Sequence, residues 1–491
     1  MRILNQRLLA VISALLCVSS ALAAENDVDL LIAAMLGDTP VTDDLRELTD
    51  TIGGRVTGTV ANKQAVAWAE AKFRTAEVAV STEEFEMPYE WQENLVQAHI
   101  SGDVGFDVGV VAKPFSTAAN ALEAPLIDAG TGSAEDFARL GETARRAWLL
   151  IDTPVLNDDI GLGGLFAEYS DAAQIEPRAF AAGVAGLVFL SSRPNNLVYR
   201  HNAALGGKNE HPLLVIEREH GKRAQRLLRD GKVLSLTATI EIDAGNAFTA
   251  SNVIGEIRGS VHPEEIVLFG AHLDSFALGT GALDNGVNVA MMINIARQIA
   301  RLGLRPERTI RFALWNGEEQ GLVGSWKYAE QHEDELDQHI VAASFDIGSG
   351  RTTGYFTGGR PELVRLVDKY LEPVAGLGPF QQIDAPIVGT DNFDFMIEGV
   401  PNLVANQADA NYASNYHAES DTFDKVDQQQ LRLNSAIAAA VLWGFANSTD
   451  RLPRQSHDEI ETLINDTDLE KQMRDFAVWD GWAAGERGRH D

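Results

Sequence analysis

The chain has 491 residues, 45% of them hydrophobic, enough for two or three domains with a substantial core. Its formal charge of −31 argues against nucleic acid and anionic membrane surfaces as partners, since both need basic patches. A solvated acidic surface accounts for most of that charge, so the charge says little about substrate.

Residues 1–23 read as a secretory signal peptide. Arg2 and Arg7 precede the apolar stretch Leu8 to Val18, and Ala21-Leu22-Ala23 supplies a cleavage signal. That stretch is short for a membrane span, and no later apolar run reaches the roughly 18 residues that a span needs. The single cysteine, Cys17, lies inside this leader, preceded by Leu16 rather than by a small residue. An exported protein, periplasmic or extracellular, without disulfide or lipid anchor is therefore expected. It would rely for stability on core burial and bound metal.

Residues 24–111 begin with two predicted helices, Thr42 to Thr51 with Thr42 as N-cap, and Asn62 to Thr75. The turn-rich loop GGRVTGT (Gly53 to Thr59) lies between them, and Thr82 to Gly102 alternates like strands of a mixed sheet. From 112 to 242 the pattern suggests a separate small α/β unit. Arg145 to Pro154 reads as a strand, Ala179 to Ser192 as a helix running into a strand, and His211 to Glu219 as a strand before the helix His220 to Gly231. His201, His211 and His220 fall there on loops or polar faces, where solvated histidines are commoner than ligands.

Residues 243–450 alternate strand and helix. The strands are EIVLFGAH, RTIRFALW, IVAASFD and VPNLVA, and the helices are Asn288 to Leu302, Leu322 to Gln331, Pro361 to Leu371 and Gln428 to Asn447. This order predicts an α/β three-layer sandwich around a mixed, mostly parallel sheet. The tail, 451–491, is polar, with a helix expected over about Ser456 to Phe476 and a loose acidic-basic end.

Five residues of the third segment carry the chemistry: His272, Asp284, Glu319, Asp346 and His417, with Glu318 beside the third. Three of them lie where a buried strand runs out, and ligands gather at the carboxyl ends of parallel strands. Imidazole and carboxylate suit zinc, and a set of this size suits two divalent ions. Asp284, in a Gly-flanked loop, is the natural bridge between them. One of Glu318 and Glu319 can bind metal while its neighbour acts as base. Asp274 can accept the second ring N–H of His272. Each string alone has a bland explanation, as solvated charge, an Asx turn or a surface histidine. Their convergence in one α/β domain does not.

The strings AHLDS, GALDNG, NGEEQGLVGS, SFD and YHAESDTFDKVD resemble those of the co-catalytic zinc peptidase family that includes bacterial leucyl aminopeptidase and plasma glutamate carboxypeptidase (carboxypeptidase Q). The resemblance extends through GGRVTGT, GLRPERTIRFALW and GTDNFDFMIEGVP, and the unit at 112–242 is similar to an inserted protease-associated domain. It implies two zinc ions per chain: His272 and Asp346 on one, Glu319 and His417 on the other, and Asp284 on both. Glu318 would be the general base, with Asp274 behind His272. A cis peptide after the bridging residue, Asp284–Asn285, is implied too. Where many relatives have Ser-Asp-His, this chain has Thr390-Asp391-Asn392, which leaves specificity open.

The function so implied is a secreted exopeptidase on small peptides, an aminopeptidase or dipeptidase. A carboxypeptidase would need a cation for the substrate carboxylate, and none of Arg351, Arg360 or Lys425 can be assigned that task from sequence. A single-zinc cyclase of related fold would differ in metal count. The intact ligand set argues against a non-catalytic receptor-like module. A homodimer is left open. The inserted unit is expected to wall the cleft, and its removal to leave both zincs bound.

Overall fold

The computed structural model describes residues 26–158, 161–200 and 210–490. The leader with Cys17, and His201, lie outside them. Among the described residues the strands form two sheets. Numbered along the chain, the first sheet holds β1 (Ala79–Met87), β10 (Phe248–Ile257), β12 (Arg308–Trp315), β11 (His262–His272), β13 (His339–Ser344), β15 (Asn402–Gln407) and β14 (Thr352–Phe356), in that spatial order.

Its centre is parallel. β11 pairs with β12, His272 opposite Trp315, and with β13, Gly270 opposite Ser344; β13 pairs in the same sense with β15. Its margins are antiparallel, at β1–β10, β10–β12 and β14–β15. The sheet is thus mixed in equal measure, not mostly parallel. Strand–helix alternation identifies the parallel core but cannot reveal that strands before and after it join its edges in the opposite sense.

Alternation along the central strands explains the layers. Val267, Phe269 and Ala271 turn to one face, into a core shared with the helices Val287–Leu302 and Gln428–Ala446. Ile266, Leu268 and Trp315 turn to the other, against Tyr328 and Phe395. Burying Val267, Leu268 and Phe269 contributes roughly 1.5–3 kcal/mol each, which fixes the register of the strand ends that matter below.

The second sheet runs β3 (Phe106–Val108), β2 (Trp91–Gly102), β9 (Leu234–Ala244), β5 (Ala119–Asp128), β6 (Trp148–Ile151), β7 (Gly186–Leu190), β8 (Leu213–Ile216) and β4 (Val110–Ala112). Residues Trp91 to Val111 therefore belong to this second unit, with β2 paired to β9 from end to end. The sequence placed them with the first segment, because alternation marks a strand but not its partner.

Other boundaries move less. The first helix begins at Val41, so Thr42 sits inside its first turn and caps nothing. The second begins at Val60, with the Thr59 side chain accepting from the Asn62 N–H. The tail folds as His457–Asp466, Leu469–Asp475 and Trp479–Ala483 rather than one helix and a loose end. Ile460, Ile464, Met473, Phe476 and Trp482 are buried against Leu322, Phe393 and Ile397. Among the described residues no helix is long and apolar enough to cross a membrane.

Candidate metal centre

The parallel register puts the ends of β11, β12 and β13 on one edge of the first sheet. His272 is the last residue of β11, Glu318 and Glu319 follow β12, and Asp346 lies two residues past β13. The turn into the Glu pair needs Gly317 at φ 76°, where its N–H donates to Thr57 Oγ1 at 2.8 Å.

Asp284 sits in the turn Ala282–Gly286 that opens the helix Val287–Leu302, and its peptide bond to Asn285 is cis, as the resemblance implies. Asp421 builds that turn: its carboxylate accepts from the main-chain N–H of Ala282 (3.1 Å), Leu283 (2.7 Å) and Asp284 (3.1 Å). Arg55, fully buried, ties the early GGRVTGT loop to the same place. It donates to the carbonyls of Leu273 (2.7 Å), Thr280 (2.8 Å) and Gly281 (3.0 Å).

His417 comes from a loop, with a left-handed backbone at φ 57°. Tyr416 stacks on its ring at 3.6 Å and Phe276 meets it edge-on at 4.5 Å. The second unit holds this loop. The Arg200 N–H donates to the His417 carbonyl at 2.9 Å, Tyr199 forms a β-bridge with Ala418, and Arg193 Nη2 donates to the Tyr416 carbonyl at 2.9 Å. Arg193 is itself buried, paired with Glu168 at 2.8 Å and stacked over the Tyr199 ring at 3.9 Å.

The predicted residues converge. His272 Nε2 lies 3.0 Å from Asp284 Oδ1, 3.1 Å from Asp346 Oδ1 and 4.0 Å from Glu318 Oε2. His417 Nε2 lies 3.2 Å from both Asp284 Oδ2 and Glu319 Oε2. Ligand atoms of His272, Asp284 and Asp346 lie within 4.8 Å of one another, and so do those of Asp284, Glu319 and His417. Asp284 is common to both groups, one oxygen on each side.

This donor set fits divalent cations better than it fits itself. One imidazole N–H cannot serve two carboxylates at once, and Glu319 Oε1 and Asp284 Oδ2 have no aligned donor. Buried charge without a partner costs several kcal/mol per ion, roughly. Two histidines facing four buried or nearly buried carboxylates call for added positive charge, and mixed N/O ligands suit zinc.

The titration of these groups follows from the same crowding. Burial drives Glu318 well above the usual carboxylate range; His272 pulls it down, and Asp346 and Glu319 push it further up. Burial raises Glu319 to about 7, against the pull of His417. Burial would depress His417, but Glu319 and Asp284 carry it up to about 9. Asp284 stays below the usual range despite burial, because both imidazoles face it. Burial lifts Asp421 to about 7, although N–H donors oppose the rise.

Asp274 sits behind His272, though not as expected. Its main-chain carbonyl meets His272 Nδ1 at 3.1 Å, while its carboxylate stands 3.6 Å away and accepts from Thr57 Oγ1 at 2.9 Å and the Gly317 N–H at 3.1 Å. It fixes the β12 turn as much as the imidazole. His211 stacks on Phe180 and His220 lies beside Glu217, and neither joins the cluster. Asp421 and Arg55 lie within YHAESDT and GGRVTGT, yet nothing in those strings marks them as builders of the site. Their partners are main-chain groups, and no residue type in a sequence announces those.

The cavities bordering the cluster measure only about 10 and 20 Å³. A larger hollow of about 300 Å³, walled in part by Asp152, Glu168 and Arg178, belongs to the second unit, and no member of the cluster borders it.

Residues 252–442 match Peptidase family M28. Carboxypeptidase Q of Rattus norvegicus is 34% identical over 206 residues, 41% of this chain and 43% of that protein, so the match spans less than half the relative's length. The fold is similar to that of a peptidase M28 precursor from Shewanella amazonensis, with a TM-score of 0.80 and 27% identity over 88% of this chain and 98% of the other. A zinc aminopeptidase from Bacillus subtilis shares the fold at a TM-score of 0.65, with 21% identity over 84% of this chain and 96% of that one.

Proposed function

We propose that this chain, whose residues 252–442 belong to Peptidase family M28, is an exported zinc-dependent exopeptidase that hydrolyses short peptides as an aminopeptidase or dipeptidase. The observation that carries the reading is the position of Asp284, with one oxygen 3.0 Å from His272 and the other 3.2 Å from His417. In this reading His272 and Asp346 hold one zinc, Glu319 and His417 the second, and Asp284 both. Bound zinc supplies Lewis acidity, which polarises a carbonyl and lowers the pKa of water.

Glu318 is the general base. It takes a proton from the attacking water and returns it to the departing amine. Burial raises its carboxyl above the usual carboxylate range, which makes it a stronger base than a solvated glutamate. Glu319, its neighbour in sequence, points instead to His417 and serves as ligand. Asp274 and Thr57 hold the Gly317 turn that separates the two roles.

The amino end of a substrate suits this cleft better than the carboxyl end. Among the described residues, neither small cavity at the cluster is lined by lysine or arginine, while Asp284, Glu318, Glu319 and Asp421 line them. Arg360 donates to the Pro453 carbonyl, Arg351 to the Pro379 carbonyl, and Lys425 pairs with Asp424. Among the described residues these cavities therefore offer no side-chain cation for a substrate carboxylate, the group a carboxypeptidase would need.

The test is a metal count on purified protein, with hydrolysis of free and end-blocked dipeptides, with and without chelator. Two zinc ions per chain and chelator-sensitive cleavage that N-acetylation abolishes are expected. One ion would favour the cyclase, and cleavage of N-blocked peptides with free carboxyl ends would favour the carboxypeptidase.

A further inference from the structure

Two rings from outside the matched stretch meet over the Glu pair. Tyr169 belongs to the helix Gly161–Ala182 of the second unit, and Phe476 to the C-terminal segment. They stack with centroids 4.2 Å apart at 17°, and the Tyr169 hydroxyl lies 3.2 Å from that of Tyr416, next to His417. Together with Leu322 and Gly389 they line the narrow pocket, about 20 Å³, that Glu318 and Glu319 border. A space of that size holds about one water.

Neither ring is free to leave. Phe166 packs on Phe476 at 5.9 Å, and Lys471 donates to Ser170 Oγ at 2.9 Å, pinning tail to helix. Further on, Arg487 is buried. Its guanidinium donates to Asp394 at 2.7 and 2.9 Å and to the carbonyls of Gly321 and Leu322, both at 3.3 Å. The tail is therefore fastened to the same turn that carries Glu318 and Glu319. Moving Phe476 aside would mean unpacking the segment around it.

We propose that the stacked Tyr169–Phe476 pair is the size filter of the enzyme: it admits substrates with a small side chain beside the scissile bond and excludes branched and aromatic ones. The proposal rests on the exopeptidase reading, and it assigns specificity to residues outside 252–442. The physical ground is steric. A side chain next to the bond that Glu318 serves must enter the space bordered by Glu318, and the stacked ring pair stands as a fixed wall of that space, where a branched or aromatic side chain would meet it.

The experiment compares kcat/KM for alanyl and leucyl dipeptides in the zinc-loaded wild type, Phe476→Ala and Tyr169→Ala, with zinc content and a melting curve for each. The wild type should prefer the alanyl substrate. Each variant should raise the leucyl-to-alanyl ratio by about tenfold or more, the scale on which pockets discriminate by a few methylene groups. Phe476→Leu should fall between. Because the two walls come from different segments, a folding defect in one variant leaves the other to decide. An unchanged ratio in a folded, two-zinc variant, or a wild type that prefers leucyl substrates, overturns the filter alone. A zinc-loaded wild type that cleaves no dipeptide removes the exopeptidase reading and the filter with it.

Discussion

The two halves of the candidate centre are built by different means. His272 and Asp346 stand at the ends of adjacent parallel strands whose neighbours on both sides are paired and buried. His417 stands on a loop whose carbonyls are held by Arg193 and Arg200, from the segment that follows β7 of the second sheet. The first half draws its geometry from the core of its own unit, the second from a contact between units. A centre can thus be continuous in space while its parts depend on separate folding decisions. The bracing also argues against the second unit as a detachable wall, since removing it would free the His417 loop.

Four measurements break or sharpen that contrast. The largest effect belongs to the pair of adjacent carboxylates. Glu318→Gln should lower turnover by ~10²-fold or more with both metals retained. Glu319→Gln should weaken metal only in the loop-built half, and equal metal loss in the two variants would show the roles misassigned. Next comes Arg193→Gln, which leaves the Tyr416 carbonyl unsupported. Zinc should then dissociate in two separate steps, the weaker site falling in affinity by ~10–100-fold, as when a group supporting a ligand is lost. Equal weakening of both sites would erase the distinction between the halves.

The third is a pH dependence in metal-free protein. His417 is raised from its ordinary 6.5 to about 9 and Glu319 from 4.5 to about 7. Both bind protons more tightly folded than unfolded. Their contribution is therefore present in full below about pH 4.5 for Glu319 and 6.5 for His417, and it is lost as pH rises through 7 and 9. Melting temperature should fall between pH 6 and 9 without zinc, and saturating zinc should flatten that slope. A rising or level apo curve would contradict the proton-sharing read from the geometry. The smallest effect is Arg229→Ala, which removes an exposed guanidinium 2.8 Å from the partly buried Asp128, whose carboxylate keeps its bonds to the Gly130 N–H and Gln225. Stability should change by about 1 kcal/mol at most, with both zincs held, as calorimetry and a metal count would show.

The strand-built half was legible in the sequence. EIVLFGAH and IVAASFD are continuous apolar runs, the mark of strands buried on both faces, and their ends fall where His272 and Asp346 stand. The loop-built half was legible only as residue types. YHAESDT shows a histidine, but not that its carbonyl accepts from Arg200 or that Asp421 caps the Asp284 turn. The tail failed for a related reason. Arg487 reads as a solvated end because charged residues are seldom buried, yet its partners Asp394 and the Gly321 and Leu322 carbonyls satisfy it inside the protein. What pairs across long separations, or with main-chain groups, leaves no local mark.

The left-handed backbone at His417 carries a consequence for how such a site can change over generations. Outside glycine, the side chains that tolerate this conformation best are asparagine, aspartate and histidine. Two of these three are ordinary ligands for divalent ions, so the backbone at position 417 tolerates a carboxylate as readily as an imidazole. Position 272, in extended strand with the Ala271 side chain packed in the core just before it, has no such backbone filter on what replaces it. Variation that alters the preferred ion while keeping the fold would then arise first at 417, in the part of the centre that the second unit supports.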